Sequence, residues 1–223
     1  MTSYLLVPGA GGSGWYWHRL VAELGQRGHQ AVAVDLPGAA PDAGLLTYRD
    51  LIVDGAQRIG GPIVLVAQSL GAFSGPLACE HAPVQTLVLI NPMIPKPGET
   101  AGAWWDAVGW REAAETSAKR EGRPAPDVRD LETLFFHDLP PDLTKIMRAD
   151  PDAGAEGPAV FTEPWPLAAW PDVPTTVLSG RQDRLFPIEL QRRVACERLG
   201  LDVEPLPGGH LLALSQPYAL AER

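Results

Sequence analysis

Short apolar runs recur along this chain and alternate with segments of helical periodicity. The runs cover residues 4–7, 31–34, 63–66, 86–90 and 175–179, with a weaker one at 202–206. Runs without polar alternation are typical of strands buried on both faces of a sheet. Strand–helix–strand repetition makes such a sheet parallel, with right-handed crossovers. The sequence therefore predicts an α/β fold with a doubly wound, mostly parallel six-stranded sheet, whose ligands bind beyond the carboxyl ends of the strands.

The strand–helix rhythm stops between residues 92 and 172, which hold five of the seven tryptophans and three of the five phenylalanines. This segment follows the carboxyl end of the fourth strand, so we expect it to lie over the ligand crevice as a cap. The core would then be residues 1–91 and 173–223, and the cap would not be an independent domain. Several cap aromatic side chains are expected to line a substrate pocket, namely Trp104, Trp105, Phe135, Phe136 and His137.

Helices are predicted wherever apolar residues recur at helical spacing. In the core these segments are residues 15–28, 48–60, 70–81 and 188–199, with a short final helix. In the cap they are 101–122, 127–136 and 142–149, followed by an irregular stretch over 150–172.

Charge and composition exclude several classes of protein. Eighteen basic against 27 acidic residues give a net charge of −9, and nucleic-acid binding needs a positive face. No apolar run is long enough to cross a bilayer. The chain leads directly into a strand and its two cysteines form no disulfide framework, which predicts a cytoplasmic location. The scarcity of lysine hints at a bacterial source. No histidine has metal-ligand spacing to another, so no metal is expected, and the oligomeric state stays open.

The first turn, residues 9–14, matches the glycine pattern of dinucleotide-binding proteins, and Asp35 follows at a suitable distance. Three features weaken that interpretation. Pro8 removes a backbone donor from the turn, bulky residues 15–17 stand where the helix would pack tightly on the sheet, and Asp35 continues into a Leu-Pro-Gly turn. The alternative is a turn that needs unusual backbone dihedral angles for another purpose.

A second motif, Ala67-Gln68-Ser69-Leu70-Gly71, directly follows the third strand and begins a helix. This is the context of a nucleophile elbow, a strained turn that projects the central hydroxyl and needs small residues two positions before and after it. A serine that merely caps the helix is the alternative.

Two further residues favour the elbow, because a serine hydroxyl needs a base and the base needs an orienting acid. Asp183 follows the fifth strand and His210 follows the sixth. Ser69, Asp183 and His210 stand in the chain order of the α/β-hydrolase triad, each just past the carboxyl end of a strand.

Taken with these residues, the chain resembles α/β-hydrolases, and in particular the plant methylesterase and hydroxynitrile lyase group with its bacterial relatives. That group opens with H-G-A-x-x-x-x-W-x-W, and only the histidine is replaced here, by Pro8. Further matches are Asp35-Leu36-Pro37-Gly38, Ser69-Leu70-Gly71, Asp183-Arg184-Leu185-Phe186-Pro187 and Gly209-His210-Leu211. The resemblance implies an oxyanion hole formed by the backbone N–H groups of Ala10 and Leu70.

The function that these features favour is a serine hydrolase, a carboxylesterase acting without cofactor on a small to medium, largely apolar ester. The lyases of the group carry Thr where Gly9 stands and Lys where Leu211 stands, which disfavours cyanohydrin cleavage. Two alternatives stay open. One is a cofactor-independent lyase, cyclase or acyltransferase of a biosynthetic pathway, because fold does not fix the reaction. The other is a non-catalytic binding module with a vestigial triad.

Overall fold

The central element is a six-stranded parallel sheet in strand order β2-β1-β3-β4-β5-β6. We describe it from a computed structural model, which covers residues 1–149 and 154–223. The strands are β1 (Ser3–Val7), β2 (Gln30–Ala33), β3 (Ile63–Gln68), β4 (Val84–Ile90), β5 (Thr175–Gly180) and β6 (Val203–Leu206). All five strand pairs are parallel. The predicted fold class is therefore confirmed, and all six strands lie where the apolar runs predict them.

Ten α-helices surround the sheet: α1 (His18–Gln26), α2 (Leu45–Ile59), α3 (Gly71–Ser74), α4 (Ala101–Ala107), α5 (Trp110–Arg120), α6 (Pro141–Ala149), α7 (Pro158–Thr162), α8 (Ile188–Leu199), α9 (Leu212–Ser215) and α10 (Pro217–Ala221), counted over the described ranges. Short 3₁₀ turns precede α1 and follow α3, and a single π-helical turn covers Glu132–Phe136.

Several helices are shorter than their periodicity predicts. The helix predicted over 101–122 is divided into α4 and α5 at Gly109, whose φ of 62° is left-handed. The segment at 70–81 is divided at Pro76, which lies in the 3₁₀ turn Gly75–Ala78. The predicted helix at 127–136 is reduced to the π-helical turn, and α7 interrupts the stretch predicted to be irregular. Residues 150–153 of that stretch lie outside the described residues.

Apolar side chains fill both faces of the sheet, because adjacent strand residues point to opposite sides. On one face, Leu6 packs with Leu20 of α1 and Leu212 of α9. On the other, Leu5 packs in a larger cluster with Ile52 of α2 and Val194 of α8. Just past the carboxyl ends of the strands, Leu70, Met93 and Phe186 belong to the larger cluster as well.

The segment 92–172 joins the same hydrophobic cluster as the core. Trp104 and Trp165 are fully buried within it, and the indole N–H of Trp165 donates to the carbonyl oxygen of Phe73 at 3.1 Å. The division into a core and a cap therefore stays a prediction, although the shared packing agrees with a cap that is not an independent domain. Within the described ranges, none of the helices is long and apolar enough to cross a membrane.

Candidate active site

Ser69 lies in a sharp turn between β3 and α3 with φ at +52°, a left-handed conformation that side chains rarely adopt. Its backbone N–H donates to Ile90 on the neighbouring strand at 2.9 Å. The turn leaves little room, because a Cβ atom on Gly71 would lie 2.6 Å from the carbonyl oxygen of Pro8. A strained backbone held by its surroundings is typical of functional turns, and this one directs the Ser69 side chain toward the carboxyl edge of the sheet.

The structure brings Ser69, His210 and Asp183 into one hydrogen-bonded series. The Oγ atom of Ser69 lies 3.1 Å from Nε2 of His210, and Nδ1 of His210 lies 2.8 Å from Oδ2 of Asp183. A carboxylate only accepts hydrogen bonds, so Nδ1 carries the imidazole proton and Nε2 can accept the serine hydroxyl. All three side chains are buried.

Neighbouring groups hold the acid and the imidazole in place. The second oxygen of Asp183 accepts the backbone N–H groups of Leu185 at 2.8 Å and Phe186 at 2.9 Å. The imidazole of His210 meets the rings of Phe135 and Phe186 edge-on, at centroid distances of 5.2 and 5.1 Å. These contacts fix the imidazole plane against both of its hydrogen-bond partners.

The two amides predicted for the oxyanion hole, those of Ala10 and Leu70, border the same cavity as Ser69. Leu70 directly precedes α3, and Ala10 lies in the turn after β1, where Gly11 and Gly12 have positive φ. Within the residues that the structure describes, neither amide donates a hydrogen bond to another protein group. The role of these two amides as an oxyanion hole stays a prediction.

The glycine turn after β1 is occupied by carboxylates. Oε2 of Glu156 accepts the N–H of Gly11 at 3.0 Å, and its other oxygen accepts the hydroxyl of Tyr48. Oδ1 of Asp35 accepts the N–H of Gly14 at 2.7 Å. Negative groups on these amides disfavour a bound pyrophosphate, so the dinucleotide interpretation of the pattern loses its anion site.

A cavity of about 290 Å³ opens above Ser69 and His210. Of the predicted pocket residues, Trp105, Phe135 and Phe136 line it. Trp104 lies instead in the hydrophobic core, where its indole N–H donates to Ile94 at 2.9 Å. His137 also lies outside the lining, its Nε2 packed close to Gly209, and burial lowers the pKa of its imidazole.

Sequence reasoning missed most of the remaining lining side chains, which are Gln68, Met93, Val128, Leu131, Met147, Phe161, Leu185, Phe186 and Leu211. A signal was present for Met93, Leu185, Phe186 and Leu211, since each follows a strand end within a few residues. Gln68 is itself the last residue of β3. The other four lie in the segment 92–172, where no comparable positional signal exists. Among residues 1–149 and 154–223, no group of three or more potential ligand side chains could hold a metal ion.

The chain belongs to the alpha/beta hydrolase family, whose family model matches residues 4–223. This confirms the family resemblance inferred from the motifs. The chain is 34% identical over 110 residues to "Probable esterase PIR7A" of rice, Oryza sativa, an alignment that covers 44% of this chain and 42% of the rice protein. It is 30% identical over 96 residues to "Norfluorocurarine synthase 1" of Strychnos, covering 39% of this chain and 36% of that protein. The aligned part thus spans less than half the length of either relative.

Among solved structures, a pyrethroid hydrolase from Sphingobium faniae JZ-2 superposes with a TM-score of 0.76 at 25% identity. That comparison covers 99% of this chain and 94% of the bacterial enzyme. The similarity therefore extends over nearly the whole chain.

Proposed function

We propose that this chain is a serine hydrolase that cleaves small to medium, largely apolar carboxylic esters. The observation that carries the proposal is the series from Ser69 Oγ through His210 to Asp183 at the base of an apolar cavity. Family membership and the esterase and hydrolase names of its relatives support the same reaction class.

In the proposed reaction, Ser69 Oγ attacks the ester carbonyl carbon while His210 Nε2 takes the hydroxyl proton. Asp183 holds the imidazole in the required tautomer and stabilises the imidazolium. The oxygen of the tetrahedral intermediate accepts the N–H groups of Ala10 and Leu70, and the positive end of the helix that begins there adds to this stabilisation. His210 then protonates the leaving alcohol and activates the water that releases the acid.

The cavity favours an uncharged substrate. Apart from His210, no ionisable side chain borders it within the described part of the chain, and most of its lining is aliphatic or aromatic. Burying an unpaired charge in such surroundings is costly, so charged acyl or alcohol groups are disfavoured. We therefore expect neutral esters with apolar groups to be turned over and phosphorylated or zwitterionic esters to be rejected.

A second candidate is a non-hydrolytic reaction at the same residues. The similarity to a protein named as a synthase, from Strychnos, supports this candidate. Hydrolysis in ¹⁸O-labelled water places one labelled oxygen in the acid product, whereas a lyase, cyclase or acyltransferase reaction does not. Mass spectrometry of the product distinguishes the two.

Replacement of Ser69 by alanine tests the proposal directly. Ser69→Ala should abolish hydrolysis of p-nitrophenyl esters and labelling by a fluorophosphonate probe. Ser74→Ala is the matched control, because Ser74 is a buried serine five residues further along the chain whose hydroxyl donates to the carbonyl oxygen of Gly71 at 3.3 Å. Retention of more than a few per cent of activity by Ser69→Ala, with Ser74→Ala unchanged, would exclude Ser69 as the nucleophile.

A further inference from the structure

Asn91, the first residue after β4, has two unusual properties. Its φ is +44°, which makes it, with Ser69, one of two non-glycine residues with positive φ in the described ranges. Its side chain is also fully buried. Neither property follows from substrate contact, because Asn91 does not line the cavity. Strained buried polar residues persist where their surroundings require them.

The side-chain amide of Asn91 uses all its hydrogen-bonding groups on two loops. Its Nδ2 donates to the carbonyl oxygens of His210 at 2.8 Å and Gly209 at 3.2 Å. Its Oδ1 accepts the backbone N–H of Gly180 at 2.8 Å. Gly180 ends the strand that leads to Asp183, so one amide joins the loop of the acid to the loop of the base.

These two loops cross almost in contact. A Cβ atom on Gly180 would lie 2.3 Å from the carbonyl oxygen of Gly209 and 2.4 Å from that of Gly208. The other side chain that reaches the His210 carbonyl, Gln68, does so at 3.5 Å, which is a weak hydrogen bond. Gln182 also joins the two loops, since its Oε1 accepts the N–H of Gly208 at 2.6 Å and its backbone N–H donates to the carbonyl oxygen of Gly208 at 3.0 Å. Among the described residues, however, the short side-chain contact to the carbonyl of His210 itself comes from Asn91.

We propose that Asn91 is a positioning residue that sets the location of His210 relative to Ser69 and Asp183. This inference rests on the proposed hydrolase function. The side chain at this position must offer two donors and one acceptor and must tolerate positive φ, and asparagine meets both conditions. Aspartate has the same shape but no donor, so its oxygen would face the carbonyls of Gly209 and His210. Glycine accepts the backbone angle but leaves both carbonyls without the amide.

The test compares Asn91→Asp and Asn91→Gly with Ile90→Val, a substitution at the adjacent buried residue of β4 that leaves the amide intact. Displacement of a catalytic group by about 1 Å can reduce turnover about 100-fold. We expect both Asn91 variants to lower kcat about 10- to 100-fold with KM within threefold, whereas Ile90→Val retains kcat within threefold.

Proton NMR gives a readout that needs no substrate. The far-downfield resonance of the proton between His210 Nδ1 and Asp183 should shift or broaden in both Asn91 variants and stay in place in Ile90→Val. A purely structural role predicts instead a lower melting temperature with kcat per folded molecule and the resonance unchanged, and that result would overturn the inference. If Asn91→Asp fails to fold, the kcat and the downfield resonance of Asn91→Gly decide between the two roles. Wild-type protein without Ser69-dependent hydrolysis would refute the proposed function, while the NMR comparison would still test Asn91.

Discussion

The carboxylate of Asp183, the proposed triad acid, is hydrogen-bonded to His210 and to two backbone N–H groups. No other carboxylate lies on the same loop before α8. The next carboxylate along the chain, Glu189, lies in the first turn of α8 and forms an ion pair with Arg120 of α5 at 2.7 Å. That pair is half exposed, and Arg120 lowers the pKa of Glu189. The Glu189 side chain therefore forms a surface ion pair and does not contact His210.

The two acids should differ sharply in their response to amide substitution. Asp183→Asn should lower ester turnover by roughly 10⁴, because the amide favours the wrong imidazole tautomer, and should leave the fold intact. Glu189→Gln should change turnover less than threefold. Steady-state kinetics on one p-nitrophenyl ester, with circular dichroism as the folding control, measures both. A crippled Glu189→Gln with an active Asp183→Asn would reverse the assignment.

At the scale of elements, the segment that precedes α7 fastens the glycine turn after β1. Glu156 accepts the N–H of Gly11 in that turn. The next residue, Gly157, donates to the carbonyl oxygen of Gly38, in the loop after β2, at 2.6 Å. Burial raises the pKa of Glu156, although the hydrogen bonds from Tyr48 and Gly11 oppose that rise. A raised pKa in the folded state means that the folded protein binds this proton more tightly than the unfolded chain does.

The raised pKa of Glu156 sets how the stability of the protein should depend on pH. The contribution of Glu156 to the free energy of unfolding should fall as pH rises from the ordinary glutamate pKa, about 4.3, through the raised one. Glu156→Gln should remove this decline, so the difference between variant and wild type should grow with pH and then level off. Urea unfolding at a series of pH values measures it, with the exposed Glu115→Gln as control. A difference that stays constant with pH would contradict the expectation.

How far sequence reasoning reaches depends on how local the signal is. Strands such as β3 and the whole of α8 are fixed by runs of neighbouring residues, and Ser69, Asp183 and His210 are found because each follows a strand end. The hydrogen bond between Glu156 and Gly11 joins residues 145 positions apart, so no local sequence pattern predicts it. Trp104 is predicted in the pocket but lies in the hydrophobic core, for a related reason. An aromatic side chain in this segment can face the pocket or the core, and helical spacing alone does not distinguish the two.

At the scale of the whole molecule, the distribution of negative charge disfavours a strongly anionic ligand such as a dinucleotide. The protein carries a net charge of −9, the glycine turn holds Glu156, and Asp35 is bonded to Gly14. We expect NAD(H), NADP(H) and metal chelators to leave both ester hydrolysis and the melting temperature unchanged. Thermal shift assays at saturating nucleotide measure this, because a ligand that binds the folded state must raise its stability. A clear upward shift would restore the dinucleotide interpretation.

The cap and the core should unfold together, because they share one hydrophobic cluster. Trp165 is the clearest link: its ring is buried among core residues, and its N–H donates to Phe73 of α3, only four residues beyond Ser69. Its neighbour Trp170 stacks on it at 5.8 Å but is half-buried, and its N–H bonds to Thr175.

Trp165→Phe should therefore lower the free energy of unfolding by about 1–3 kcal/mol, because a buried hydrogen bond and part of a packed ring are lost. Trp170→Phe should cost less than about 1 kcal/mol, since water can reach the site. For a chain of this size each kcal/mol corresponds to roughly 2–4 °C in Tm. Calorimetry should show one transition that moves as a whole in Trp165→Phe. Two transitions, with only one of them shifted, would show that the cap is an independent domain.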